Sequence, residues 1–119
     1  YESGTLQPTS VNEYAHQYGT SAGSFGEGKS TGADRIYTVN FGATYNTGLY
    51  IYLYNLGNSS KFSFLTYQGN QSFASSTTMF FGGGVLKQAS TVDGFRVYLN
   101  TGTITGEYKL YGVKQLWVL

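Results

Sequence analysis

The sequence predicts an all-β domain, and three observations carry that prediction. Short runs rich in β-branched and aromatic residues recur along the chain, Gly/Asn/Ser/Thr turns separate them at spacings of about 8–14 residues, and no ten-residue stretch shows helical periodicity. With 119 residues the chain makes one domain. About seven or eight strands in that length suit a small antiparallel sandwich or barrel.

Element by element, residues 1–33 are polar and glycine-rich, with Leu6, Val11, Tyr14, Tyr18 and Phe25 scattered among them. They read as a polar N-terminal arm or an early edge strand, and residues 34–119 as the sandwich proper. Ile36 to Phe41 has strand composition, and Ala43 to Gly48 has turn chemistry. Leu49 to Tyr54 alternates with period two, placing Leu49, Ile51 and Leu53 on one face and Tyr50, Tyr52 and Tyr54 on the other. Lys61 to Tyr67 reads as the next strand, followed by a polar loop from Gln68 to Thr77. Thr78 to Phe81 is a short strand ended by Gly82-Gly83-Gly84, with Val85 to Lys87 continuing it after a bulge. Phe95 to Leu99 and Glu107 to Val113 close the domain as strands around Asn100-Thr101-Gly102, and Leu116-Trp117-Val118-Leu119 is an apolar tail.

Composition excludes several functions. The absence of Cys removes disulfide frameworks, zinc ribbons and cysteine nucleophiles. The single His, His16, leaves no multi-histidine metal site and makes a Ser-His-Asp triad a poor reading. A net charge of +1 is too small for non-specific nucleic-acid binding. The apolar runs are far shorter than the ~20 residues of a membrane-spanning helix. An aromatic content of 18% argues against disorder. The chain opens on Tyr1 with no charged, apolar leader, as a processed product or the ordered part of a longer protein would.

The last third holds the most specific pattern: Asp93-Gly94-Phe95-Arg96-Val97-Tyr98-Leu99, then Gly102-Thr103-Ile104-Thr105-Gly106, then Leu110-Tyr111-Gly112-Val113. It resembles the closing hairpin of jelly-roll domains in tailed-phage virion proteins, those of tail fibres, tailspike C-termini, head fibres and capsid decoration proteins. Gly102, Ile104, Gly106, Leu110, Tyr111, Gly112 and Val113 match that hairpin over about 20 residues. The resemblance implies a jelly-roll-like antiparallel β-sandwich and a virion setting, on the capsid surface or a tail appendage. It also implies assembly as a homo-oligomer, a trimer, with other virion proteins as partners.

The candidate functional residues follow. Tyr50, Tyr52 and Tyr54 form a row suited to a subunit interface or to stacking on sugar rings. Leu116, Trp117, Val118 and Leu119 are expected to dock on the core or on another subunit, because burying one large apolar side chain is worth about 1.5–3 kcal/mol. The carboxylates Glu2, Glu13, Glu27, Asp34, Asp93 and Glu107 form no visible acid–base set, and Gly82-Gly83-Gly84 lacks the Lys-Ser/Thr of a phosphate loop. The sequence thus reads as a non-enzymatic virion structural protein with no cofactor and no membrane insertion. The alternative is a carbohydrate-binding module recognising host glycan through its tyrosines and loop Asn and Gln. In the virion reading the N-terminal arm is the segment expected to contact a neighbour.

Overall fold

The computed structural model describes residues 1–6, 9–38 and 46–113. It is all-β, with five strands: β1 (Asn12–Thr20), β2 (Phe25–Ala33), β3 (Thr47–Tyr54), β4 (Ser63–Ser72) and β5 (Thr77–Leu86). They form one antiparallel sheet in the order β2-β1-β5-β4-β3. Hairpins join β1 to β2, β3 to β4 and β4 to β5. β2 and β3 lie at opposite edges, and residues 35–38 after β2 begin the crossing between them over one side of the sheet.

That crossing defines an inner face. Cross-strand register brings Ile51, Tyr67, Gly82 and His16 into one row, so Leu49, Ile51, Leu53, Leu65, Tyr67, Phe80, Tyr14, His16 and Tyr18 all point to the same side. Residues 35–38 and 95–101 lie over this side, and with Leu49, Ile51, Leu53 and Leu65 they enclose a cleft of about 410 Å³. The covering layer is irregular chain. Among the described residues no second sheet faces the first.

Glycines inside the strands make room for this packing. Gly69 and Gly82 sit in the middle of β4 and β5, where the missing side chain weakens a strand unless something packs in its place. The Phe80 ring covers Gly69, and the Tyr67 hydroxyl lies over Gly82. A Cβ at Gly69 would come within 2.7 Å of Phe80 Cζ and 2.6 Å of the Gly48 carbonyl oxygen. One at Gly82 would meet the Tyr67 hydroxyl and the Ala15 carbonyl oxygen, each at 2.6 Å. Phe80 and Tyr67, at 1% and 3% exposure, are the buried hydrophobic core among the described residues.

Several sequence readings change here. Residues 1–33 are not a free arm. Most of them form the β1–β2 hairpin, with β2 at one edge of the sheet. The first five residues are tied to the chain after β5: the Tyr1 amino group donates to the Gly94 carbonyl at 2.7 Å, Asp93 N donates to Tyr1 O at 2.9 Å, and Gly4 N donates to the Asp93 carboxylate at 2.8 Å. The glycine run does not end a strand. β5 passes unbroken through Gly82-Gly83-Gly84 because Tyr67 and Ile36 occupy the space above. β4 likewise runs on to Ser72, through the stretch read as a loop. Phe95 to Leu99 and Glu107 to Val113 carry no strand. Ile36 to Thr38 is irregular chain, the rest of that expected strand and the first half of the Ala43 to Gly48 turn lie outside the described residues, and Thr47 and Gly48 already belong to β3.

Gly69→Ala is expected to lower stability by about 1–3 kcal/mol, as overpacking a buried site does. Gly57→Ala, where a Cβ meets nothing within 4 Å, is expected to change it little. Urea unfolding midpoints check the pair, and equal midpoints would contradict the packing described.

Candidate functional site

Two surfaces bear on the residues singled out in the sequence: the outer face of the sheet and the arm that follows Thr101. The outer face carries the predicted tyrosine row. Tyr50, Tyr52 and Tyr54 are 52%, 54% and 47% exposed, because period-two alternation sends Leu49, Ile51 and Leu53 inward. The Tyr50 hydroxyl donates to Gln68 Oε1 at 2.7 Å, and the Tyr54 hydroxyl lies 3.4 Å from Thr66 Oγ1. Tyr50 and Tyr52 meet edge-on with centroids 5.7 Å apart. Register extends the surface inward across the sheet: Gln68 lies opposite Tyr50, Phe81 opposite Gln68, and Gln17 opposite Phe81. Phe64, Met79 and Phe81 are also exposed on this side. Sequence reading placed the tyrosines together but missed the phenylalanines and Met79, because their side depends on pairing across β4 and β5.

The arm begins at a cluster that fixes where the chain leaves the sheet. Arg35 lies over the rings of Tyr37 and Tyr98, at 5.6 and 5.5 Å from their centroids, and its Nη1 donates to Asn100 Oδ1 at 3.1 Å. Arg96 stacks on the other partner, 4.3 Å from the Tyr98 centroid. Asp34 accepts from Arg35 Nε at 2.8 Å, and the guanidinium holds its carboxyl below the usual carboxylate range. These groups are exposed, so the ion pair sets geometry more than stability. Gly102 then adopts a φ of 87°, a conformation glycine takes readily. Beyond it Ile104, Tyr108, Leu110, Tyr111 and Val113 are 55–93% exposed, and a Cβ at Gly106 or Gly112 would touch nothing. The part of the closing motif after Gly102 thus stands away from the sheet. The apolar tail Leu116 to Leu119 lies outside the described residues.

The carboxylates are spread among separate local contacts. Glu2 accepts from Gln88 at 3.1 Å and from the Ser90 hydroxyl, Glu13 pairs with Lys87 at 2.9 Å, and Glu27 pairs with Lys29 at 3.0 Å. Among the described residues no group of three or more His, Cys, Asp or Glu could hold a metal ion, and no helix is long and apolar enough to cross a membrane. Comparison with family models, curated proteins and solved structures finds no match for the chain. The likeness to phage jelly-roll domains therefore rests on the closing motif alone.

One buried group links the crossing to the sheet. The Tyr67 hydroxyl donates to the Tyr37 carbonyl at 3.2 Å. Its burial, together with the nearby Tyr14, raises its pKa above the ordinary tyrosine value. A raised pKa means that the folded state holds the phenol proton more tightly than the unfolded chain does. Its contribution is complete below the unfolded value of about 10 and falls as pH rises beyond it. Urea midpoints of the wild type are expected to drop above about pH 10 more steeply than those of Tyr67→Phe. Parallel curves would show that Tyr67 does not contribute to alkaline sensitivity.

Proposed function

We propose that this chain is a non-enzymatic structural subunit that works by oligomeric assembly, and that the arm after Thr101 is its assembly element. The observation that carries this reading is the exposure of five large apolar side chains along residues 104–113. Leaving such groups in water forgoes about 1.5–3 kcal/mol for each one that a neighbour would bury.

The two sheet edges differ in a way that suits an incoming strand. β2 carries Glu27 and Lys29, charges that discourage edge pairing, whereas β3 has none. Residues 107–113 keep the alternation of a strand and have no partner in the sheet. An arm laid along β3 of a neighbouring copy would gain backbone hydrogen bonds and place apolar side chains beside the exposed tyrosines. In this reading the assembly extends the single sheet by one strand, and the jelly-roll-like sandwich is proposed only from the resemblance of the closing motif. The virion setting, capsid surface or tail appendage, and the trimeric state are proposed from that resemblance.

Light scattering on the full chain over a dilution series is expected to give an oligomer, and a chain ending at Thr101 a folded monomer. A full chain that stays monomeric throughout, or a truncated chain that assembles as well, would overturn the proposal.

A further inference from the structure

We propose that the inner face of β1 is a binding site for a neutral oligosaccharide, with Tyr14, His16 and Tyr18 as the platform on which its pyranose rings stack. This surface is separate from the tyrosine row and from the arm.

The platform comes from an unusual local pairing. Tyr18 and His16 lie opposite Gly26 and Gly28 of β2. Neither glycine serves a turn, and neither has a positive φ. Interior glycines weaken a strand and often mark a place where something approaches closely. Here the side chains of β1 lie down over them: a Cβ at Gly28 would fall 2.5 Å from the imidazole Cε1 and Nε2 of His16, and one at Gly26 would overlap the Tyr18 ring. Tyr14 continues the row, its ring parallel to His16 within 7° and 6.0 Å away. Successive same-face residues step by about 7 Å, so the three rings pave a strip long enough for more than one sugar. All three are half-buried and line the cleft above, where the Tyr37 ring packs at a tilt against Tyr14 with centroids 5.7 Å apart. Among the described residues the Nδ1 of His16 is buried without a hydrogen-bond partner, a second local cost that the sheet alone does not explain.

The cleft over this strip has a volume of about 520 Å³, within the range of small-molecule sites. Thr20, Ser75 and Ser76 bring hydroxyl groups to its rim. No Lys, Arg, Asp or Glu lines it among the described residues. That chemistry selects the ligand. A pyranose has an apolar C–H face for an aromatic platform and a ring of hydroxyls for a hydroxyl rim. A nucleotide or an acidic glycan would call for a cation that the cleft does not offer.

The test uses the full chain on an array of neutral hexose and N-acetylhexosamine oligosaccharides, followed by calorimetry with the best-retained one. The wild type is expected to bind. Tyr18→Leu, which keeps apolar bulk without a ring face, is expected to lose about tenfold in affinity, and Gly28→Ala, which lifts the imidazole, is expected to weaken binding too. Far-UV circular dichroism confirms that each variant keeps its sheet. The variant carrying Tyr50→Ala, Tyr52→Ala and Tyr54→Ala is expected to bind as the wild type does. Retention of no neutral oligosaccharide, equal affinity in folded Tyr18→Leu, or loss of binding in the outer-face variant would each overturn the assignment.

Discussion

The structure depends on one kind of contact, a large side chain lying over a glycine in the middle of a neighbouring strand. Phe80 over Gly69 and Tyr67 over Gly82 join β4 to β5, the strand at the centre of the sheet. Ile36 over Gly84 brings the crossing chain down onto the same strand. His16 over Gly28 and Tyr18 over Gly26 repeat the arrangement at the β1–β2 edge. Each glycine gives up its own packing so that a ring or branched chain can lie flat. The inner layer is therefore thin, and among the described residues side chains and two irregular segments cover the sheet without a second set of strands.

A layer this thin leaves much apolar surface unburied. Only two hydrophobic residues are fully buried among the described ones, while the outer face and the arm expose Tyr, Phe, Leu, Ile and Val. With charged residues at 11%, against about 25% in ordinary domains, the chain has few groups to keep such a surface apart from others of its kind. The proposed assembly answers that deficit. A neighbour's arm along β3 would cover the uncharged edge and extend the sheet, and the inner-face platform on β1 would remain open at the other side.

The legible and illegible parts of the fold separate by physical cause. β3 could be read directly, because Leu49-Tyr50-Ile51-Tyr52-Leu53-Tyr54 contains its own two-faced pattern and needs no partner to reveal it. The sequence alone shortens β5, because three consecutive glycines look like a break until Tyr67 and Ile36 are placed above them. The β1–β2 hairpin was hidden for the same reason: Gly26 and Gly28 give linker-like composition, although Tyr14, His16 and Tyr18 share the period-two spacing that would have marked a strand. Residues 95–113 erred in the opposite direction. Their strand character is real at the level of sequence, but a strand requires a paired neighbour, and within one chain residues 95–101 cover the inner face while residues 102–113 find no edge. Among the candidate residues, the side of Tyr50, Tyr52 and Tyr54 followed from spacing alone, whereas the platform on β1 required the register against β2.

Amide hydrogen exchange, read residue by residue at low and high protein concentration, tests the central claim most directly. The account predicts strong protection of β1, β4 and β5 at both concentrations. It predicts rapid exchange of residues 103–113 in the dilute chain and protection of the same residues, with the outer edge of β3, once copies assemble. Protection of residues 103–113 in a dilute, monomeric chain would contradict it, because the arm would then have found its partner within its own fold.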